Sequence, residues 1–571
     1  MRRSITAMAA TALLAALLTP IAQASPVAAP AERMTGADCE WGTEPAQVIP
    51  RVDYPEGYTG FNYYREYSRP GDDCVIGPSW LPMLHGHPLS GIFVSTEEFN
   101  SFSATQQWCT GLGDPACAAQ DWGLAVANLA LGYCDTDSDY NCIESLQVIA
   151  PDGAEQQARY LRGFPELAEV PEFRQGDAFV PTGGSVPLWE FDGPDGPVRL
   201  LSPGKTEKMF IPAGGRWSTR PGALFKLWLQ PVAIAPRPAL PKPEQSTYID
   251  ARTGVQRVEW TGWNHPDATG CVATDTGECA VEARFPEGYR YRIALRLRDE
   301  ASLYLNGSID NPVAYSTKLS GGHRFVLEAG PSPILAMAGW IPKAQVPREL
   351  VDQTFAAIGG HRNWDMETHA NSGQPLGRGG IEPLAWFKAL LPYFDDRASF
   401  VADAWYVENT PTQGRYTSQC VERGRGEFIG IVSSNATAYT GDPPVYDQGT
   451  NTLSYEIAGP HYMPDGTTLS KGRYAINMNA DFVKCILGVD KVPSVARVDL
   501  IYPDGEASAA TLALKQDKNW LRLTYENFTF SSPTVSVKFP QSLTCVKGKG
   551  KKAKTKKVTA FQCPKGWRLK R

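Results

Sequence analysis

Short segments of alternating apolar and polar residues, separated by turn-forming residues, restrict the fold of this chain more than any other feature. They are clearest between 420 and 539, as in Thr452–Ile457, Ala496–Tyr502 and Thr534–Phe539. Successive side chains of a β-strand point to opposite faces, so this alternation predicts strands with one buried face. The spacing predicts a mainly β fold of tandem immunoglobulin-like antiparallel β-sandwich modules with a small helical insert.

The turns between these segments share a sequence, Pro-Asp-Gly or Pro-Glu-Gly. Proline presets the first central dihedral of a β-turn, and glycine accepts its last position. The chain contains this sequence at Pro55–Gly57, Pro151–Gly153, Pro194–Gly196, Pro286–Gly288, Pro464–Gly466 and Pro503–Gly505. We interpret these sites as hairpin tips, and their similar surroundings indicate three related strand–turn–strand units.

With 571 residues, the chain is long enough for about three or four domains. The proline-rich stretch Pro231–Pro243 is the best candidate for a linker between domains. Apolar residues at helical spacing indicate a small helical insert later in the chain. The predicted division is 1–24 (signal peptide), 25–38 (leader), 39–235 (N-terminal β-rich module), 236–246 (linker), 247–345 (second β-sandwich module), 346–404 (helical insert), 405–541 (C-terminal β-sandwich module) and 542–571 (basic disulfide tail).

The N-terminus has the pattern of a secretory signal. Arg2 and Arg3 precede the apolar run Ile5–Leu18, and Ala22–Ala24 fits the small-residue rule for cleavage. The run is too short to span a bilayer comfortably, and no second long apolar stretch follows. The sequence therefore predicts a secreted or extracellular protein, associated with the cell envelope or free of it, without a transmembrane segment.

Twelve cysteines support export, because an even count in an exported chain indicates disulfides. Sequential pairing is the simplest scheme, and in it Cys420 and Cys485 would clamp the two sheets of the C-terminal sandwich. The alternative, a zinc cluster, requires closely spaced cysteines with partner histidines. The cysteines are Cys39, Cys74, Cys109, Cys117, Cys134, Cys142, Cys271, Cys279, Cys420, Cys485, Cys545 and Cys563.

The C-terminal part of the chain resembles a group of secreted actinomycete proteins. The resemblance lies in the order of three segments: the helical insert, the sandwich at 420–539 and the tail from Cys545 to Trp567. Those proteins have disulfide-stapled β-sandwich modules and a basic, cysteine-containing C-terminal tail. The resemblance covers roughly the C-terminal two-fifths of the chain. It implies export and β modules, and it implies no catalytic residue, because the group has no assigned activity.

The strongest catalytic pattern lies at the centre of the helical insert. His361, Asp365, Glu367 and His369 fall within nine residues and supply groups for metal binding or acid–base chemistry. This pattern predicts a secreted hydrolase with its site near His361–Asn371. The alternative is an ordered polar loop between two helices, because the spacing matches no known metal motif.

A calcium site is the one cofactor hypothesis that the sequence offers. Asp135, Asp137 and Asp139 alternate inside the Cys134–Cys142 loop, as carboxylates do at the start of calcium loops. The usual glycine is replaced by Tyr140, and no bidentate glutamate follows at the usual distance. The alternative is therefore an acidic, solvated hairpin tip.

The C-terminal tail is strongly basic. Between Cys545 and Arg571 it has eleven basic residues and no acid, whereas the whole chain carries a net charge of −6. Anionic cell-envelope polymers are the predicted partner, and nucleic acid fits an exported protein poorly. The alternative is a disulfide-closed, solvated hairpin in which 558–561 pairs with 542–546.

Composition adds a second binding hypothesis. The 15 tryptophans and 23 tyrosines are enough for a sugar-stacking platform, although aromatic residues more often fill the cores of small β modules. The preferred interpretation is an exported, non-enzymatic protein that acts in binding or structure at the cell envelope or outside the cell. The alternatives are the secreted hydrolase and a carbohydrate-binding protein that takes polysaccharide.

Overall fold

A computed structural model of the chain confirms the mainly β class. The structure describes 91–96, 106–164 without 110, 120 and 138, 172–236 without 176–177 and 181, 277–298, 303–342, 391–410 without 399, 428–548 without 441–442, 503–506, 518 and 531, 553–570, and the shorter segments 32–33, 58–63, 244–249, 256–261, 271–273, 384, 387–388 and 419–420.

The strands of the N-terminal half are β1 (Glu32–Arg33), β2 (Tyr58–Tyr63), β3 (Gly91–Ser95), β4 (Gln106–Cys109), β5 (Leu124–Ala130), β6 (Gly132–Tyr133), β7 (Cys142–Ile149), β8 (Glu155–Gln157), β9 (Arg159–Phe164), β10 (Phe173–Gln175), β11 (Ala178–Val180), β12 (Val186–Gly193), β13 (Gly196–Leu201), β14 (Gly204–Ala213), β15 (Arg216–Trp228), β16 (Gln230–Pro236), β17 (Glu244–Ile249), β18 (Gln256–Thr261), β19 (Cys271–Ala273) and β20 (Glu278–Glu282).

The strands that follow are β21 (Arg290–Leu297), β22 (Leu303–Leu319), β23 (Gly322–Pro342), β24 (Phe400–Ala404), β25 (Tyr406–Thr410), β26 (Phe428–Ser434), β27 (Ala438–Tyr439), β28 (Val445–Asp447), β29 (Thr452–Ala458), β30 (Lys471–Asn479), β31 (Val495–Ile501), β32 (Ala507–Ala513), β33 (Lys515–Asp517), β34 (Trp520–Thr529), β35 (Thr534–Lys538), β36 (Gln541–Lys547), β37 (Lys554–Ala560) and β38 (Arg568–Leu569). Helical elements are α1 (Ala480–Leu487) and the 3-10 helices Pro115–Cys117 and Leu391–Phe394.

One continuous run of strands organises the molecule. Its order is β4–β3–β5–β14–β15–β25–β22–β26–β30–β34–β33, and it belongs to a sheet of nineteen strands. All of these neighbours are antiparallel except β22 and β26, which are parallel. We call this run the central sheet.

The long strands β22 and β23 connect the central sheet to a second layer. The first part of β22 pairs with β25 and β26, and its later part pairs with β23 across the turn between Leu319 and Gly322. β23 in turn pairs with β21, and β21 pairs with β7. The apolar core between the layers includes Leu305, Ile431 and Ile293. Because β22 continues from the central sheet into the second layer, this layer closes one face of the central sheet.

Two smaller sheets cover the other face of the central sheet. We call this face, which carries Trp228, Tyr406, Tyr304 and Tyr474, the first face. Near its N-terminal strands, Trp228 and Tyr406 pack against the six-stranded sheet β19–β20–β16–β13–β12–β9. Near its C-terminal strands, Tyr304 and Tyr474 pack against the sheet that contains β27, β28, β29, β35, β31 and β32. The two covers therefore meet over β25 and β22.

The C-terminal sandwich of the sequence analysis corresponds to part of this architecture. β26, β30, β34 and β33 form its first sheet, and β29, β35, β31 and β32 lie in the facing sheet. The first sheet is continuous with strands from earlier in the chain, so the tandem immunoglobulin-like arrangement is not confirmed. The proposed linker also begins within β16, which pairs with β13 on one side and β20 on the other.

The predicted role of one disulfide is wrong. Cys420 and Cys485 are joined, with Cα atoms 5.7 Å apart, but Cys485 lies on α1 and not on a strand. Asn479 caps this helix by accepting hydrogen bonds from the backbone N–H groups of Asp481 and Phe482. The disulfide therefore fastens a helix to the chain near 420 and does not clamp two sheets.

Candidate functional site

Three of the predicted Pro-Asp-Gly turns are present where the structure describes them. Gly153, Gly196 and Gly466 all have positive φ angles, which glycine adopts without strain. Gly196 closes the hairpin of β12 and β13, and Gly153 closes that of β7 and β8. Pro286–Gly288 forms a turn between two strands of different sheets, and the remaining two sequences lie outside the described residues.

The hydrolase hypothesis concerns residues that lie outside the described part of the chain. None of His361, Asp365, Glu367 and His369 is among the described residues. Within the predicted helical insert, the described residues Leu384, Phe387 and Lys388 are helical, and Leu391–Phe394 forms a 3-10 helix. The catalytic set thus stays a prediction.

The three aspartates of the calcium hypothesis are in the described residues. Asp137 forms an ion pair with Arg296 at 3.1 Å. Asp139 accepts hydrogen bonds from the backbone N–H and the hydroxyl of Thr136, each at 2.7 Å. Asp135 is exposed, and the described residues hold no group of three His, Cys, Asp or Glu side chains arranged for a metal ion. Calcium binding stays a prediction, with Asp137 and Asp139 already engaged by protein groups.

Disulfides are present in four of the sequential pairs, which supports the extracellular interpretation. The side chains of the other two pairs, Cys39–Cys74 and Cys271–Cys279, lie outside those described, although the strands of Cys271 and Cys279 pair with each other. The four disulfides are Cys109–Cys117, Cys134–Cys142, Cys420–Cys485 and Cys545–Cys563.

Five of the described tryptophans are unsuited to a surface sugar platform. They are buried in the cores, where Trp189 donates to Ser202 and Trp405 donates to the carbonyl of Ala329. Buried aromatic rings with a satisfied N–H are typical of β cores. The five residues are Trp189, Trp217, Trp228, Trp405 and Trp520.

The basic tail forms an ordered module. β36 pairs with β37 and with β38, and the disulfide Cys545–Cys563 joins β36 to the segment between β37 and β38. The predicted pairing of 558–561 with 542–546 is confirmed, because Leu543 lies opposite Val558. A sheet this small buries too little apolar surface to be stable alone, so a covalent link is expected. We call residues 541–570 the cationic module.

Positive charge covers the cationic module. Its described basic side chains are all exposed, and none forms an ion pair with a residue that the structure describes. On β37 they project from both faces of the strand, because Lys556 and Lys557 are adjacent. The exposed set is Lys547, Lys554, Lys556, Lys557, Lys565, Arg568 and Lys570. The module therefore presents an uncompensated positive surface to solvent.

One residue of the preceding sandwich anchors the cationic module. Asn451 donates hydrogen bonds to the carbonyls of Phe539 at 3.2 Å and Pro540 at 3.3 Å, just before β36. Its own side-chain oxygen accepts from the Tyr446 hydroxyl at 2.7 Å. Asn451 is buried and has a φ of 58°, a conformation that asparagine tolerates better than most residues. These contacts fix the start of the module against the body.

A polar row crosses the first face of the central sheet, and the sequence analysis missed it. Lys205 on β14 lies opposite Lys226 on β15, which lies opposite Glu408 on β25. Glu408 in turn lies opposite Asn306 on β22. Lys205 and Lys226 belong to the consecutive strands β14 and β15, whereas Asn306 and Glu408 come from segments much later in the chain, so the strand register brings the four residues together.

A further titratable cluster joins two loops. The Asp396 carboxylate accepts the backbone N–H of His461 at 2.7 Å, and His461 Nδ1 lies 2.7 Å from the carbonyl oxygen of Phe530. A carbonyl only accepts, so Nδ1 carries the proton. Burial raises the pKa of Asp396, and the hydrogen bond from His461 opposes that change. These contacts are structural links between loops.

Comparison with known proteins adds no assignment. No protein-family model matches the chain, and no curated protein matches it. The resemblance to secreted actinomycete proteins stays a prediction. In the part of the chain that the structure describes, no helix combines the length and apolarity needed to cross a membrane.

Proposed function

We propose that this chain is an exported β protein that binds an anionic polymer of the cell envelope through its cationic module. The observation that carries the proposal is the disulfide-linked sheet at 541–570, whose exposed lysines have no acidic partners among the described residues. Positive side chains on a fixed sheet attract a polyanion without the cost of ordering the backbone that carries them. The disulfides and the signal-like N-terminus support export.

The partner is best described by its chemistry. A polymer of repeating phosphate or carboxylate groups matches lysines spread over both faces of β37 and the adjoining turns. The module has no pocket-forming aromatic series for stacked bases, which favours an envelope polymer over single-stranded nucleic acid. The hydrolase and the surface sugar-binding alternatives gain no support from the described residues.

Binding to bead-bound polymers tests the proposal. Immobilised polyphosphate and a carboxylated polysaccharide are compared with neutral dextran, and bound protein is measured against sodium chloride concentration. We expect retention on both polyanions, elution by salt, and no retention on dextran. The Lys554→Gln/Lys556→Gln/Lys557→Gln variant should bind roughly 100-fold more weakly, since each of the three lysines contributes about 1 kcal/mol near an anionic surface.

Matched controls distinguish this outcome from a general charge effect. The Lys318→Gln/Lys471→Gln/Lys515→Gln variant removes the same charge from three exposed lysines elsewhere and should bind like the wild type. Equal weakening in both variants, or retention on dextran, would contradict the proposal. Stronger binding to duplex DNA or to vesicles of anionic lipid than to either polymer would assign a different partner and overturn it.

A further inference from the structure

The polar row on the first face contains a like-charged pair. Lys205 and Lys226 are direct cross-strand neighbours on β14 and β15. Like charges placed directly opposite on a sheet destabilise each other. The row lies beside the apolar core that contains Ala130, Trp228 and Tyr406, so water screens this repulsion poorly.

Among the described residues, Lys226 has a carboxylate within hydrogen-bond distance, whereas the carboxylate nearest to Lys205 is more distant. Lys226 forms an ion pair with Glu408 at 3.0 Å, and both side chains are only about a tenth exposed, at 12% and 11%. The Lys205 amine lies 3.9 Å from Glu207, which is too far for a hydrogen bond. Among the described residues, no other carboxylate forms an ion pair with Lys205. The pairing therefore stabilises the charge of Lys226 and leaves that of Lys205 weakly compensated.

Lys205 also remains within reach of small molecules. Its side chain is 28% exposed, more than that of Lys226 or Glu408. Burial lowers the pKa of Lys205, Glu207 on its own strand opposes that change, and Lys226 adds to it. Glu408 faces Lys226 from β25, and Asn128 and Ala130 on the other neighbouring strand are uncharged. A desolvated lysine beside a second cation is the arrangement that favours a neutral, nucleophilic amine.

We propose that Lys205 is a reactive amine that forms an imine with an aldehyde or ketone at the polar row of the central sheet. The lone pair of Nζ forms a bond to the carbonyl carbon. The carbonyl oxygen then leaves as water with the two hydrogens of the neutral amine, so no oxidant or reductant is needed. This site is separate from the cationic module and does not depend on the polymer-binding function.

Reductive methylation measures the proposal directly. The full-length protein is treated with limiting formaldehyde and cyanoborohydride between pH 6.5 and pH 10, and methylation of each lysine is followed by peptide mass spectrometry. At pH 7 we expect Lys205 to react faster than the exposed Lys318 and Lys515, because a lowered pKa increases the fraction of the amine that is neutral. The ratio should fall as the pH approaches 10.

Two variants test the electrostatic cause. Lys226→Met removes the neighbouring cation and leaves Glu408 to stabilise the ammonium form, so Lys205 should react more slowly. Glu207→Gln removes an opposing carboxylate, so Lys205 should react faster. The tail variant Lys554→Gln/Lys556→Gln/Lys557→Gln should leave the rate at Lys205 unchanged. Methylation of Lys205 no faster than that of Lys318 and Lys515 at pH 7, or a ratio independent of pH, would overturn the proposal.

Discussion

Asn451 illustrates, at the scale of one residue, how a local conformation positions a functional surface. Its left-handed backbone turns the chain into β29, and its amide reaches the carbonyls that precede β36. Most residues either avoid the left-handed backbone conformation or lack a side-chain amide that can donate to these carbonyls. The position of the cationic module thus depends on a side chain about 90 residues earlier in the chain.

Replacing Asn451 tests this dependence. Asn451→Ala removes two donated hydrogen bonds and one accepted bond, and it places a side chain with a Cβ but no amide at a positive φ. We expect a loss of about 2–3 kcal/mol in the free energy of unfolding, measured by denaturant titration. Tyr446→Phe removes a single bond to the same residue and should cost about 1 kcal/mol. Equal losses in the two variants would contradict the anchoring role.

Residue chemistry was only partly predictable from the sequence. The cysteine pairs 109–117 and 134–142 were predictable because short loops bring their partners together automatically. The role of Lys205 was not predictable, because it depends on the neighbouring Lys226 and Glu408. A shift of one residue in strand register would turn either neighbour to the opposite face of the sheet. Asp137 gave a calcium-like pattern, yet its partner Arg296 lies about 160 residues away.

At the scale of elements, local turn chemistry was the most reliable guide. The positive φ angles of Gly153, Gly196 and Gly466 follow from the Pro-Asp-Gly sequence itself, because only nearby atoms decide them. The segment Leu124–Leu131 has a composition suited to a helix, yet Leu124–Ala130 forms the strand β5. The position of Cys485 on α1 was missed, because α1 is short and lies between two strands.

The disulfide of the cationic module provides a prediction about this element. Cys545 and Cys563 are 18 residues apart, and closing a loop of this length stabilises a fold by about 3 kcal/mol. In the Cys545→Ser/Cys563→Ser variant we expect faster amide hydrogen exchange throughout β36 and β37, measured by mass spectrometry. Exchange in β29 and β35 should stay unchanged, because their core does not include this disulfide. Unaltered exchange in β36 and β37 would mean that the strands do not need the link.

At the scale of the whole molecule, the sequence indicated sandwiches but not their connection. A strand's alternation identifies its buried face, whereas its neighbours in a sheet are decided by contacts between distant segments. β22 joins β25 and β26 in one layer and β23 in the next, so a single hairpin bridges regions that the sequence assigns to separate modules. The amino-acid composition of a linker cannot indicate that one strand pairs in two layers.

Charge distribution is the other property that belongs to the whole molecule. The chain carries −6 in total, and eleven of its 55 basic residues lie between 545 and 571, where there is no acid. The remaining chain is therefore strongly acidic and is repelled by an anionic surface, whereas the cationic module is attracted to it. Under the proposed function, this asymmetry would orient the protein with the module toward the polymer and the acidic body away from it.

The most direct test of envelope binding is the distribution of the exported protein between cells and medium. Cells that produce the full chain are compared with cells that produce a chain truncated after Phe539, and circular dichroism of the purified truncated protein checks its fold. We expect the full chain in the cell-bound fraction, from which concentrated salt releases it, and the truncated chain in the medium. The same distribution for both proteins would contradict the proposed function.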